Sequence, residues 1–130
     1  MPPRDDDAFR AHVEDALERD DPAELGDLAL EIGLEGEPFE WAQSCCIQLA
    51  RHRSARVRAG AMSGVGHLAR RFGRLDPGRV RRLVQVALYD PSAAVRECAA
   101  DAADDLRTFL GWELEHPEPE RAPRGATGKA

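Results

Sequence analysis

The chain repeats a short pattern at a spacing of 38 residues, and this spacing constrains the fold more than any other feature of the sequence. The ten residues from His52 to Ala61, HRSARVRAGA, align with the ten from Asp90 to Ala99, DPSAAVRECA, with identity at five positions. A repeat of this length is typical of stacked helical hairpins, because no single hairpin can bury its own apolar side. The repeat therefore predicts an all-α chain with an extended surface for a partner.

Apolar residues at helical spacing, together with helix-capping residues, predict six helices along the chain. Asp21 and Glu24 predict a capping box that starts the second helix. The third helix is predicted to present one apolar face from Trp41 to His52. Other helix starts and stops are predicted at Pro38, Gly73, Asp76, Ser92 and Leu110.

Six helices joined by short loops predict three stacked antiparallel hairpins, an α-solenoid, in one domain over residues 1–114. The predicted units are an atypical acidic capping hairpin at 1–36 and two repeats at 37–73 and 74–114. Beyond Trp112 the composition changes to proline, glycine and charge. Residues 115–130 are therefore predicted to form a disordered tail.

Charge is distributed unevenly along the chain, although the total is only −6. Residues 1–40 carry 14 acidic and 3 basic side chains, whereas residues 51–82 carry ten arginines and the single acid Asp76. An asymmetry of this size can steer a charged partner. The alternative is that the arginines pair with the acidic first hairpin of the same molecule, and the sequence does not decide between the two.

Cysteine usage and hydropathy predict a cytoplasmic protein. The three cysteines offer neither an even disulfide framework nor the ligand spacing of a zinc site, so we expect them to be reduced and mostly buried. No window is apolar enough for a membrane span, and the first residues are acidic where a signal peptide would be basic. A membrane partner is therefore not expected.

The segment from Asp90 to Ala99 resembles the turn and second helix of a HEAT repeat, with Asp-Pro-Ser followed by Val95 and Arg96. The segment at Arg58 is similar and in register. The resemblance implies a ladder of Asp and Arg side chains between adjacent hairpins, which gives Asp90, Arg58 and Arg96 a structural role. His52 stands where the pattern has Asp, which predicts a break in the ladder at that position.

A longer run from Trp41 to Leu106 is similar to a group of small bacterial HEAT-like proteins. Several short proteins of this build are immunity proteins, which bind and block a partner toxin. The resemblance implies a fold more strongly than it implies a partner, because one helical scaffold can carry many functions.

Enzyme signatures are missing from the sequence, so we predict no catalytic, cofactor-binding or metal-binding residues. Ser63 and His67 lie four residues apart on one helix, but no third group is evident to orient them. The acidic strip on the last helix is interpreted as a solvated face. Gly60 and Gly64 share one helix face and predict close packing against a neighbouring helix, with contact to a ligand as the alternative.

Together these features predict a non-catalytic protein-binding module, with an immunity or inhibitor protein acting on a toxin as the specific hypothesis. A scaffold or regulatory adaptor is the first alternative, and a nucleic-acid-binding domain that uses the arginines is the second; the acidic total charge weighs against nucleic acid. The oligomeric state is not predicted. The expected partner contacts lie mainly on the second helix of the middle hairpin and are His67, Arg70, Arg71, Arg74 and Trp112.

Overall fold

The computed structural model describes residues 6–118, and every regular element in this range is a helix. The six helices are α1 Asp6–Arg19, α2 Pro22–Glu35, α3 Phe39–Leu49, α4 Ala55–Phe72, α5 Pro77–Ala87 and α6 Ala93–Leu110. The prediction of an all-α chain with six helices is confirmed.

Most helix ends follow the capping residues of the sequence. Asp76 accepts a hydrogen bond from the Gly78 N–H at the start of α5, and Gly73 ends α4 in the left-handed conformation at φ 64°. Asp21 likewise caps α2 through the Ala23 N–H. The predicted capping box is wrong in its second half, because the Glu24 carboxylate bonds the Arg19 guanidinium at 2.7 Å and not the backbone of Asp21.

The third helix is shorter than predicted. It ends at Leu49, so His52 lies in the loop before α4 and not on a helix face. The Ala50 N–H is bonded to the Cys46 and Gln48 carbonyls, which closes the helix with a tight turn. Because the helix ends before His52, the His52 side chain can reach the loop of the preceding hairpin, where it makes the contact described below.

The helices stack in two layers. The second helices of the three hairpins, α2, α4 and α6, lie side by side and make the most extensive contacts in the fold. The first helices α3 and α5 touch each other only slightly. The hairpins are therefore joined mainly through their second helices, while a space is left between the first helices of the last two hairpins.

Glycine allows α2 and α4 to approach closely. A methyl group added to Gly33 would lie 2.4 Å from the Gly64 Cα, and one added to Gly60 would lie 2.3 Å from the Gly26 carbonyl oxygen. No real side chain tolerates such distances. The close-packing interpretation of Gly60 and Gly64 is confirmed, and the neighbour is α2.

The cysteines differ in their expected reactivity. Cys45 and Cys46 are buried in α3, whereas Cys98 in α6 is half-buried, and all three are free thiols. Burial raises the pKa of the Cys45 thiol to about 11 and raises that of Cys46 as well. Because the thiolate is the reactive form, the two cysteines of α3 are poor nucleophiles in the folded protein.

We expect iodoacetamide at neutral pH to modify Cys98 first in the native protein, and to modify Cys45 and Cys46 only after denaturation. Peptide mass spectrometry after timed labelling measures the three rates separately, and labelling in denaturant is the control. Equal native rates at Cys45 and Cys98 would contradict the burial of α3.

The chain after α6 returns along the last hairpin. The Glu115 N–H donates to the Gln85 side-chain oxygen at 2.9 Å, and the Arg81 guanidinium donates to the Glu113 carbonyl. Of the predicted disordered tail, residues 115–118 form no helix and residues 119–130 lie outside the described range. The beginning of this segment is thus attached to α5.

Candidate functional site

Arg58 and Asp90 connect the second hairpin to the third, as the predicted ladder requires. The Arg58 guanidinium donates to both Asp90 carboxylate oxygens at 2.9 and 3.1 Å, and its remaining nitrogen donates to the His52 and Arg53 carbonyls. Hydrogen bonding from Arg58 holds the pKa of Asp90 below its usual value. Arg96 lies one repeat further on and donates to the Asp90 and Pro91 carbonyls.

At His52 the ladder is not broken; the carboxylate and its partner exchange sides compared with the Arg58–Asp90 pair. His52 Nε2 lies 2.6 Å from an Asp20 carboxylate oxygen, so the carboxylate comes from the preceding hairpin and its hydrogen-bonding partner from the following one. The Ser54 N–H donates to His52 Nδ1, which leaves the hydrogen of a neutral imidazole on Nε2, facing Asp20. Hydrogen bonds from His52 and then from Arg53 lower the pKa of Asp20.

His67 and Arg70 lie on the wall of an open groove between α4 and α6, which we call the α4–α6 groove. Its volume is about 390 Å³. The opposite wall is formed by the acidic residues of α6, so the predicted solvated strip faces the predicted contact residues. The polar residues that line the groove are Ser63, His67, Arg70, Asp101, Asp104 and Asp105.

Asp105 is the least exposed carboxylate of the groove. Its side chain is 27% exposed, and burial raises its pKa although Arg70 and His67 oppose the rise. The Arg70 guanidinium lies 3.9 Å from the Asp105 carboxylate, a distance too long for a strong hydrogen bond. Arg70 is 54% exposed and so remains accessible to a partner.

Arg71 and Arg74 lie apart from this groove. Arg71 donates to the Gly33 and Gly36 carbonyls at 2.8 and 3.2 Å and so satisfies the free carbonyls at the end of α2. Arg74 lies over the Phe39 ring, 4.1 Å from its centre. The structure therefore divides the four predicted contact residues of the middle hairpin between two places, and only His67 and Arg70 share the groove.

Trp112 lies just beyond α6, half-buried against the core. Its backbone N–H donates to the Leu106 carbonyl, which completes the turn that ends the helix at Gly111. This placement agrees with a packing role for Trp112, while its role as a partner anchor stays a prediction.

Many arginines of the basic stretch lie beside carboxylates of the acidic stretch. The four closest nitrogen-to-oxygen distances are 2.6 Å for Arg53 to Asp20, 3.7 Å for Arg56 to Asp27, 3.7 Å for Arg71 to Glu37 and 4.0 Å for Arg74 to Glu40. Two of these acids belong to the predicted first hairpin and two to the start of the next repeat. Much of the positive charge is thus compensated inside the molecule.

Phe109 lies next to Arg70 at the edge of the α4–α6 groove, and the sequence does not predict it as a contact residue. It is 45% exposed, and the Arg70 guanidinium lies 6.0 Å from the centre of its ring. The signal was present in the sequence, because Phe109 falls off the apolar stripe that runs through Leu106 and Leu110. The ring therefore stays partly exposed beside Arg70, where a partner can reach it.

Comparison with known proteins gives no match: no family model matches the sequence, and no curated protein or solved structure is significantly similar to it. No helix in the range 6–118 combines the length and the apolar character needed to cross a membrane.

Proposed function

We propose that this chain is a cytoplasmic, non-catalytic protein-binding module that acts as an inhibitor, of the immunity-protein kind, by occupying the surface of a partner such as a toxin. The observation that carries the proposal is the accessible pair Phe109 and Arg70 at the edge of the α4–α6 groove. Arginine and aromatic side chains are the residues most enriched among the energetically dominant contacts of interfaces.

The groove supports a partner of mixed polarity. Asp101 and Asp104 are exposed on one wall and can accept hydrogen bonds from a lysine or arginine of the partner. Phe109 offers an apolar contact beside them, and Arg70 can pair with a carboxylate. A groove of about 390 Å³ has room for one or two inserted side chains.

The nucleic-acid alternative has less support. The total charge of the chain is −6, and four of the ten arginines of the basic stretch lie within 4.0 Å of carboxylates of the acidic stretch, so only part of the positive charge is available to phosphates. A scaffold or adaptor would use the same surface, and it differs from an inhibitor in binding several partners without blocking their activity.

The test uses the double variant Arg70→Glu with Phe109→Ser. We expect a tagged chain to capture one stoichiometric protein from lysate of the native organism, with and without nuclease, and to suppress the activity of that protein. The double variant should weaken binding by about a hundredfold, since each residue is expected to contribute more than 1 kcal/mol.

The control is Arg81→Glu with Tyr89→Ser, which changes an exposed arginine and an exposed aromatic residue outside the groove. It should bind as the parent does. Equal binding by both double variants would show that the partner does not bind at the α4–α6 groove. Capture that depends on nucleic acid, or a bound partner that stays fully active, would overturn the inhibitor function.

A further inference from the structure

A second groove lies between α5 and the turn that follows α3, and residues of α4 and α6 also line it. We call it the α3–α5 groove. Its volume is about 480 Å³, within the usual range for a ligand pocket. Arg51 lies where α3 ends, and one face of α5 supplies Arg79, Arg82, Leu83 and Val86.

The positive charge of this groove is not compensated as it is elsewhere. Within the part of the chain that the structure describes, no carboxylate lies within 4.0 Å of Arg51, Arg79 or Arg82. Arg79 makes one long contact, 3.4 Å to the Ser44 hydroxyl. The carboxylate of Asp90 also reaches the groove, but it already accepts hydrogen bonds from two of the three guanidinium nitrogens of Arg58.

The groove is also partly apolar. Val86 is 56% exposed, Leu83 is half-buried, and Met62 of α4 closes the floor. In the isolated chain the exposed part of Val86 contributes no hydrophobic stabilisation, because its apolar surface faces water. Burying that surface against an apolar side chain of a ligand would be favourable.

The length of the groove indicates the form of the ligand. The lining residues of α5 run from Gly78 to Ala87, which corresponds to about 13 Å of helix at the usual rise. An extended chain covers about 3.3 Å per residue, so four residues fill this length.

We infer that the α3–α5 groove binds an extended acidic segment of a second protein, with an apolar side chain against Val86 and Leu83 and carboxylates on Arg51, Arg79 and Arg82. Arginine pairs with carboxylates through two parallel hydrogen bonds, which gives such a segment a defined register. The buried Met62 borders both grooves, but Arg51, Arg79 and Arg82 do not line the α4–α6 groove. The inference therefore does not depend on the function proposed for that groove.

The probe is a fluorescein-labelled hexapeptide of alternating glutamate and leucine, followed by fluorescence anisotropy with the full chain. We expect saturable binding that weakens with added salt. The variant Arg51→Glu with Arg82→Glu should weaken binding by about tenfold or more, because both substitutions place a negative charge against the carboxylates of the peptide. Val86→Ser should weaken binding of this peptide as well.

The matched control is Arg81→Glu with Arg107→Glu, which makes the same change in total charge at two exposed arginines outside the groove. It should change binding by less than about threefold. Circular dichroism checks that all variants keep the parental helicity. The inference is overturned by three results: no saturable binding, equal loss in the control, or equal binding of a peptide in which serine replaces leucine.

Discussion

Replacing Gly33 by alanine should lower the free energy of unfolding by about 3 kcal/mol, although alanine is the better helix former by about 1 kcal/mol. The added methyl carbon would lie 2.4 Å from the Gly64 Cα and 2.5 Å from the Gly64 carbonyl oxygen. Both are backbone atoms, so no side-chain rotation can relieve the contact. The two helices must move apart, and the close approach of Gly60 to Gly26 is lost with the same movement.

Urea denaturation followed by far-UV circular dichroism measures this change. Gly78→Ala is the matched control, because its added methyl group would meet only the Asp76 carboxylate oxygen, at an ordinary 3.5 Å. We expect the control to leave stability unchanged or to raise it by up to about 1 kcal/mol. An equal response of Gly33→Ala and Gly78→Ala would show that α2 and α4 are not in close contact.

This close contact was only half predictable from the sequence. Gly60 and Gly64 lie inside a helix where glycine costs stability, which marks a face that something approaches. The periodicity gives the face but not the neighbour, because helical spacing describes each helix in isolation. Gly26 and Gly33 of α2 complete the contact, and the sequence does not predict either of them as a contact residue.

The placement of the predicted contact residues was likewise only partly predictable from the sequence. Arg70 and Arg71 are adjacent in sequence, yet successive residues of a helix point about 100° apart. They therefore reach different surfaces, Arg70 the α4–α6 groove and Arg71 the end of α2. The direction of each side chain follows from helix geometry, whereas the carbonyls of Gly33 and Gly36 that receive Arg71 depend on how the hairpins stack.

The contact between His52 and Asp20 could not be predicted from the sequence, for a different reason. The repeat aligned His52 with Asp90 and so predicted a missing carboxylate. The repeat could not indicate Asp20 as the partner, because the first hairpin lacks the repeated pattern and its loop therefore does not align with the loops of the other hairpins. The carboxylate that completes the contact lies in that loop, at φ 55°, a conformation that no periodicity predicts.

Arg58→Ala should lower the free energy of unfolding by about 3 kcal/mol, because it leaves a mostly buried carboxylate without its partner. The Asp90 side chain is 11% exposed and that of Arg58 is 22% exposed. Arg19→Ala is a close control, since Arg19 also bonds both oxygens of one carboxylate, that of Glu24, but is 52% exposed. Its loss should cost no more than about 1 kcal/mol.

The pH dependence separates loss of the ion pair from loss of packing. Arg58 lowers the folded pKa of Asp90, so the stabilisation is fully present above the unfolded pKa, near 3.9, and is lost as the pH falls through the folded pKa. The difference between the parent and Arg58→Ala, measured by urea denaturation, should therefore shrink from neutral pH to about pH 2. If the difference stays constant with pH, Arg58 stabilises the stack through its aliphatic chain and carbonyl contacts, and the ion pair between the hairpins contributes little.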